Sequence, residues 1–336
     1  MSDVSERDRL PKENDEIVTE SGKKYKLVRT LGEGGYGIVF ASIDEGSQVA
    51  VKAEKYSKSQ LKIEIIVLKA ANLMNCRHFC DLIDCGTKGK DFDWMVMTLL
   101  GKDLHRLRCE LPDRKFSLNT ALRVGLQTLK ACEELHRVGF VSRDIKPGNF
   151  APGVKANRQS RTIYMYDFGL ARKYVDKNNV VLPSRKEVGW RGTTRYGSLN
   201  AHKRLDLGRR DDLESWFYAL VEMTRGSLPW RNVTDRANVQ KAKEATRTTG
   251  RAQFLSDTPA QYDKIYTLID SYSFEAAPDY QTIHKMLTEA REERHFRDRE
   301  HWDWEDETVS TTVTTITSFS EKDCRAAQKE TDKISK

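Results

Sequence analysis

The residues best suited to chemistry lie in two short segments, VSRDIKPGNF and MYDFGLAR. The first carries Asp144, Lys146 and Asn149, and the second carries Asp167. A carboxylate can orient an acceptor hydroxyl, a lysine can contact a transferring phosphoryl group, and an amide with a second carboxylate can hold Mg²⁺. Each piece alone is compatible with an ordinary turn, but their order and spacing predict a phosphoryl-transfer site.

A glycine-rich segment and two opposite charges precede these residues. GEGGYGIV places Gly32, Gly34 and Gly37 after a predicted strand, where glycine lets the backbone approach phosphate oxygens closely. A strand rather than a helix follows, which favours a flap over a nucleotide and not a dinucleotide-binding turn. We interpret Lys52 and Glu64 as a phosphate-binding cation and its partner, because without the glycine segment they would be ordinary solvated charges.

Two hydrophobic patterns must position these groups. YKLVRTLGEGGYGIVFASIDEGSQVAVKAEK alternates apolar and polar residues and predicts an antiparallel meander, and DWMVMTLL predicts a further strand. Residues 57–74 between them have helical spacing. The apolar face of that helix would contain Leu61, Ile65, Leu68 and Leu73.

The second half of the chain is predicted to be mainly helical. Long helices are expected at 117–139, where Gly139 supplies a stop, and at 209–226, with shorter helices from about 236 to 300. A small β-rich lobe followed by a larger helical lobe predicts an α+β protein with a ligand cleft between the lobes.

Composition and charge limit the classes of function. The 336 residues include 57 basic and 50 acidic ones, a net charge of +7, and no aromatic-and-basic motif for nucleic-acid recognition is visible. The chain has no apolar run of membrane-spanning length and no cationic start leading into an apolar segment. Its six cysteines form no disulfide pattern. We therefore expect a cytoplasmic protein without membrane insertion, with the nucleus as the alternative compartment.

Segment composition predicts three regions. Residues 1–22 are charged and polar, which predicts a flexible leader that is either disordered or loosely docked. Residues 23–305 form the predicted domain, with lobes at about 23–100 and 101–305. Residues 306–336 begin with a Ser/Thr-rich stretch that predicts a flexible tail.

On these motifs the chain resembles the eukaryotic protein kinase family from about Tyr25 to about Trp304. The resemblance implies a bilobal kinase fold, with a small antiparallel β-rich N-lobe that holds one long helix and a larger, mainly α-helical C-lobe. It also implies ATP and Mg²⁺ as cofactors and transfer of the γ-phosphate to protein substrates.

The resemblance implies a role for each matching position on the nucleotide side. The glycines would cover the ATP phosphates, Lys52 would contact the α and β phosphates, and Met97 would be the gatekeeper before a hinge at residues 98–100. The ATP-binding residues would be Leu31, Gly32, Gly34, Gly37, Val39, Ala50, Lys52, Glu64, Met97 and Leu100.

On the substrate side the resemblance implies that Asp144 and Lys146 are catalytic and that Asn149 and Asp167 hold magnesium. Lys146, together with Thr193 in RGTTRY, is typical of the serine/threonine branch. Asp212 would anchor the backbone of the catalytic loop, which is a structural role.

The subfamily is indicated by a departure from the usual pattern. Ser198, Leu199 and Asn200 replace the usual Ala-Pro-Glu, which resembles the casein kinase 1 group, and GWRGTTRYGSLNAHKRLDLGRRDDL is most similar to its tau-tubulin kinase branch. In that group the position of Arg195 lies in an anion pocket. The resemblance therefore implies that Arg191 and Arg195 recognise acidic or phosphorylated protein substrates, and that the protein acts as a monomer.

Ser142 also departs from the family, which normally has histidine there, packed beneath the phenylalanine that matches Phe168. The substitution predicts lost packing rather than lost chemistry, because every group expected to contact phosphate, metal or nucleophile is present. An active kinase is the favoured interpretation. A pseudokinase that serves as a binding scaffold is the alternative.

Overall fold

Strands predominate in the first hundred residues and helices in the remainder of the computed structural model, which describes residues 8–297 and 299–305. Within these ranges the strands are β1 (Glu16–Val18), β2 (Lys24–Lys26), β3 (Arg29–Glu33), β4 (Gly37–Asp44), β5 (Ser47–Lys55), β6 (Leu82–Lys88), β7 (Phe92–Thr98), β8 (Phe140–Val141), β9 (Phe150–Pro152), β10 (Ile163–Met165) and β11 (Arg172–Lys173). The helices are α1 (Leu61–Leu73), α2 (Leu104–Cys109), α3 (Leu118–Arg137), α4 (Leu199–His202), α5 (Arg209–Arg225), α6 (Arg236–Ala245), α7 (Arg251–Phe254), α8 (Gln261–Ser271) and α9 (Tyr280–Glu292). The predicted α+β class, with a β-rich lobe before a helical lobe, is confirmed.

A five-stranded antiparallel sheet with the order β3-β4-β5-β7-β6 forms the N-lobe and confirms the predicted meander. Phe40, Val51 and Val96 from its central strands are fully or almost fully buried in one hydrophobic cluster. The sequence pattern did not predict β6. This strand lies at the sheet edge and is mostly half-exposed, so it lacks the apolar alternation of a buried strand.

Within the leader predicted for residues 1–22, the described residues 8–22 include a strand that docks on the N-lobe. β1 pairs with β2 so that Ile17 lies opposite Tyr25, and both side chains are buried in the N-lobe cluster, with Leu10 packed against it. Ile17 is the one buried residue of β1, because Glu16 and Val18 are exposed. One buried position is too short a pattern to reveal this strand from the sequence. Residues 1–7 lie outside the described ranges, and the 23–305 boundary stays a prediction.

Helix α1 forms where predicted, and its buried face agrees with the predicted one except at Leu73, with Ile65 half-buried. Leu61, Glu64 and Leu68 are buried, whereas Leu73 is 83% exposed. The buried row therefore includes a carboxylate in place of one of the expected apolar side chains. Glu64 can occupy it because Lys52 supplies an opposite charge.

The helical lobe is built around α3 and α5, and both predicted long helices are confirmed. Ser117 caps the start of α3 by accepting a hydrogen bond from the Thr120 amide, and Gly139 follows its end with φ of 91°. The two helices approach closely at Gly125, where a Cβ atom would lie 2.9 Å from a methyl carbon of Leu220. Helices α6 to α9 confirm the shorter helices expected after residue 236.

In the described ranges, no helix is both long and apolar enough to cross a membrane. The predicted tail at 306–336 lies outside the described residues.

Candidate active site

The first cluster of chemical groups surrounds the Asp144 carboxylate. Thr193 Oγ1 donates a hydrogen bond to Asp144 Oδ1 (2.8 Å), and Lys146 Nζ donates to Asp144 Oδ2 (2.6 Å). Lys146 Nζ also lies 3.3 Å from Thr193 Oγ1. The structure thus places the carboxylate and the ammonium of one segment in contact with each other and with a threonine hydroxyl from a distant segment.

Asp212 of α5 fixes the backbone of the loop that carries Asp144. Its two carboxylate oxygens accept hydrogen bonds from the backbone amides of Ser142 (2.7 Å) and Arg143 (2.8 Å). Arg143 has a φ of 65°, a left-handed conformation that these bonds help to stabilise. His136 of α3 places Nε2 2.9 Å from the same carboxylate. This is the anchoring role expected for Asp212.

Asn149 and Asp167, the predicted magnesium ligands, come from neighbouring backbone segments, because the Tyr166 amide donates to the Asn149 carbonyl (3.0 Å). Asn149 is buried and uses its amide nitrogen to donate to the Asp144 carbonyl (3.0 Å), which leaves its amide oxygen as the potential ligand. Asp167 is exposed, with a φ of 64°. One carboxylate and one amide suit Mg²⁺, which usually takes few protein ligands and is completed by water and substrate phosphates. The donor set therefore fits a magnesium ion bound together with a nucleotide.

Lys52 joins the sheet to α1. Its Nζ donates to Glu64 Oε1 (2.5 Å) and lies 3.1 Å from Glu54 Oε1. Burial alone would lower the pKa of Lys52, but the carboxylates of Glu64, Asp167 and Glu54 outweigh burial and raise it. Lys52 is therefore a fixed cation, held by α1 and within electrostatic range of Asp167.

The glycine-rich segment forms the turn between β3 and β4. The Gly34 amide donates to the Gly37 carbonyl (2.9 Å), and the tip at Tyr36 is 59% exposed. A side chain at Gly37 would collide with the carbonyl oxygen of Ala53, so this position requires glycine. At Gly32 and Gly34 a Cβ atom would meet open space, which fits a flap whose backbone faces a ligand.

The apolar residues expected to bind ATP come from β3, β4, β5 and β7 and from Leu100 after β7. Ala50 of β5 lies opposite Met97 of β7, and both are buried. Val39 of β4 is opposite Lys52, and Leu100 forms an isolated bridge with Gly153. Leu31, Val39 and Leu100 are half-buried. These side chains offer apolar surface beside the Lys52 cation, an arrangement suited to a base with attached phosphates.

The sequence profile of the protein kinase domain family matches residues 25–297 of the chain. This chain belongs to the protein kinase family.

Two relatives specify the family further. A probable serine/threonine-protein kinase of Dictyostelium discoideum is 36% identical over 291 residues, which are 85% of this chain and 57% of that protein. The serine/threonine-protein kinase spe-6 of Caenorhabditis elegans is 36% identical over 294 residues, 85% of this chain and 76% of its own length. The kinase is thus similar to serine/threonine kinases, and it spans little more than half the length of the Dictyostelium relative.

Phe168 of the kinase has an aromatic neighbour that the sequence did not indicate. Phe79 stacks on Phe168 with ring centroids 5.4 Å apart and planes 12° from parallel, and both side chains are buried. Ser142 is also buried, and its hydroxyl accepts from the Asp144 amide (3.3 Å). Phe79 therefore supplies packing for Phe168 in a chain that lacks the usual histidine at position 142.

Replacing Phe79 with alanine should destabilise the kinase by about 3–5 kcal/mol, because the truncation removes the ring that packs on Phe168 and leaves a cavity. Thermal unfolding measures the loss. Phe116→Ala, which truncates another buried phenylalanine, is the control for a general core defect. We expect Phe79→Ala to lower turnover of the remaining folded protein more than Phe116→Ala does. Equal turnover in the two variants would contradict a role for Phe79 in supporting Phe168.

The basic residues before Asn200 have carboxylate partners in the fold. Arg185 NH2 lies 2.8 Å from Asp206 Oδ1, and Arg172 NH1 lies 2.6 Å from Asp206 Oδ2. Burial opposes the charge on Asp206, but its hydrogen bonds with Arg185 and Arg172 outweigh burial and lower its pKa. Arg195 NH1 lies 3.4 Å from Oε1 of buried Glu222. Asp206 and Glu222 thus reduce the electrostatic repulsion among Arg172, Arg185 and Arg195, and the sequence did not indicate these partners.

Arg191, the other residue expected to recognise substrate anions, is exposed and lines a cavity of about 460 Å³. The cavity lining also includes Arg143, Arg172 and Arg185, together with Asp206. Burial and the neighbouring arginines lower the pKa of Arg143 to about 10. The lining also contains Glu187, so the four arginines exceed the two carboxylates and the cavity has a net positive lining. Arg195 is not among its lining residues, so the two predicted anion-binding arginines lie in different surroundings.

Proposed function

We propose that this protein is an active ATP- and Mg²⁺-dependent serine/threonine kinase of the casein kinase 1 group, most similar to the tau-tubulin kinase branch. The observation that carries the proposed activity is the presence of two assembled clusters in one structure, whereas the proposed subgroup rests on the sequence of residues 189–213. Lys52 is paired with Glu64, and Asp144 is in contact with both Lys146 and Thr193.

Each cluster has a defined task in the proposed reaction. When bound, ATP supplies the γ-phosphoryl group and Mg²⁺ neutralises the phosphate oxygens. Lys52 binds the α and β phosphates, and the Asp144 carboxylate orients the acceptor hydroxyl and accepts its proton. Lys146, held 2.6 Å from Asp144, contacts the γ-phosphate. Thr193 Oγ1 now donates to Asp144 Oδ1, so the Thr193 hydroxyl marks where an acceptor hydroxyl can approach.

The pseudokinase alternative depends on Ser142. Its backbone amide bonds to Asp212, and this bond does not depend on the side chain at position 142. The Asp144 loop therefore keeps its anchor without histidine. Phe79 packs on Phe168, which further favours an active enzyme.

We infer a preference for acceptors that have acidic or phosphorylated residues nearby. Arg195 supports this inference because its side chain contacts buried Glu222 and is still 34% exposed. The exposed part of its guanidinium can therefore bind a substrate anion. Arg191 supports it independently through the electropositive cavity. Attraction of this kind should weaken with salt, since exposed charges are screened over about 8 Å at physiological ionic strength.

Arg195→Ala tests the substrate preference. We expect KM for an acidic or phosphorylated peptide to rise by about tenfold, the effect of losing one charge-assisted hydrogen bond, while KM for a neutral peptide and for ATP changes little. Steady-state kinetics with the two peptides measures this. Arg204→Ala, which removes another arginine from the same part of the chain, is the control. An equal rise in KM on both peptides would mean that Arg195 supports the segment and does not recognise substrate charge.

A further inference from the structure

A buried lysine in α6 contacts the segment that carries Thr193 and Arg195. Lys243 has no exposed surface, and its Nζ donates to the carbonyl oxygens of Thr194 (2.8 Å) and Gly197 (2.6 Å). It also lies 3.2 Å from Nε2 of His202. The two carbonyls bracket Arg195, so Lys243 holds the backbone on both sides of that residue.

Burying the Lys243 side chain costs desolvation free energy, so its contacts with polar partners must compensate for that cost. Burial lowers the pKa of Lys243 to about 7, opposed by Glu214 and assisted by Arg247. Tyr218 and Trp230 surround the ammonium, with ring centroids 5.1 and 5.3 Å from Nζ. A buried amine is tolerated only when polar partners compensate for lost hydration, and backbone carbonyls of the substrate-side segment are the partners here.

A second residue of α6 holds the other end of the same segment. The guanidinium of Arg236 lies 4.2 Å from the centre of the Trp190 ring, in a cation–π arrangement. Trp190 donates through Nε1 to the Gly192 carbonyl (2.9 Å), and its ring meets His202 edge-on at 5.0 Å. Arg236 and Lys243 thus contact both ends of residues 190–197.

The residues that follow the segment are anchored differently. Ser198 Oγ donates to Asp211 Oδ1 (2.7 Å), and the Leu199 amide donates to Glu214 Oε1 (2.9 Å), so both depend on α5. The backbone around Arg195 is held by Lys243 of α6 and by Trp230, whose Nε1 donates to the Arg195 carbonyl (2.7 Å). Helix α6 thus contacts the backbone of this segment, whereas Glu222 of α5 contacts the Arg195 side chain.

We propose that Arg236 and Lys243, the α6 clamp, are positioning residues that fix segment 190–197 in the conformation to which protein substrates bind. The segment places Thr193 against Asp144 and presents Arg195 between the two carbonyls that Lys243 holds. Loss of the clamp should affect peptide binding while leaving the nucleotide site intact, since Lys52 and the glycine-rich turn lie in the N-lobe. The expected effect on peptide KM rests on the proposed kinase activity.

Lys243→Met tests the clamp, because methionine keeps most of the length and removes the ammonium. We expect peptide KM to rise at least about tenfold and ATP KM to stay within about twofold, since two buried carbonyls lose a charged donor. Lys243→Gln, which can still donate two N–H groups, should recover part of the peptide affinity. The control is Thr246→Val, a buried change at the residue that follows α6, where the threonine hydroxyl bonds Tyr266 and the Lys243 carbonyl.

Hydrogen–deuterium exchange gives a readout that needs no phosphoryl transfer. Amides in 190–197 should exchange faster in Lys243→Met than in the wild type or in Thr246→Val, while amides in β5 stay unchanged. If Lys243→Met does not fold, Arg236→Ala tests the half-buried end of the clamp and should produce the same pattern more weakly. Wild-type exchange in 190–197, or the same increase in Thr246→Val, would overturn the proposal. A wild-type protein without kinase activity would instead overturn the proposed function and leave the exchange result interpretable.

Discussion

Replacing Asp144 with asparagine should lower kcat by about 10²–10⁴-fold, because the neutral amide can no longer accept the proton of an acceptor hydroxyl. The shape of the side chain is preserved, and an amide oxygen can still accept from Thr193 or Lys146. We therefore expect the melting temperature and the KM for ATP to change little. Initial rates of transfer to a peptide, measured over a range of ATP concentrations, separate the two parameters.

The matched control for this variant is Asp263→Asn, which neutralises an exposed carboxylate of α8 paired with Arg251. It should leave both kcat and KM near wild-type values, since exposed ion pairs contribute little. If Asp144→Asn retains wild-type turnover, the assignment of Asp144 to the acceptor hydroxyl is wrong.

Lys52→Met should reduce kcat/KM for ATP by about 10²–10³-fold, the typical cost of removing one preorganised electrostatic group from an active site. It should also change how stability depends on pH. Burial raises the pKa of Glu64, as do Asp167 and Glu54, whereas Lys52 opposes the rise. The pKa of Glu64 is about 7 even with Lys52 present, so without Lys52 it rises further and the folded state holds the Glu64 proton still more tightly.

The sign of the pH effect follows from this difference. A carboxyl whose pKa is raised on folding loses its proton at a cost to the folded state, so stability falls as pH rises above its unfolded pKa of about 4.3. The melting temperature of Lys52→Met should therefore decline more steeply than that of the wild type between about pH 5 and pH 8. Adding Glu64→Gln should remove this extra decline without restoring activity. If the melting temperature of Lys52→Met depends on pH as that of the wild type does, Lys52 and Glu64 are not a buried charge pair.

The sequence alone predicted much of the fold and of the site. Strand alternation and helical spacing are local properties, so the meander and helices α3 and α5 could be located from them. The site groups near Asp144 could be found because they occupy one continuous segment whose residue types are unusual together. Lys52 and Glu64 are farther apart, but the glycine-rich turn before them indicated their role.

The remaining features depend on tertiary contacts that leave no local pattern. Lys243 stands in VQKAKEA, which has the composition of an ordinary solvated helix, and only the fold shows that its ammonium is buried. Glu222 and Asp206 likewise become visible as partners of arginines only when distant elements meet. Phe79 lies far from Phe168 in sequence. A search for charged residues on the apolar side of predicted helices could have suggested Glu222, which lies among the hydrophobic residues of ALVEM.

Phosphoryl transfer from labelled ATP to paired peptides tests the central claim most directly. The peptides would have the same acidic sequence and differ only in carrying serine or tyrosine as acceptor, and wild type, Asp144→Asn and Lys52→Met would be assayed with and without Mg²⁺. We expect Mg²⁺-dependent label on the serine peptide with the wild type, and strongly reduced label with both variants. A folded wild-type protein that binds ATP but transfers no more label than Asp144→Asn would contradict the account and indicate a binding scaffold.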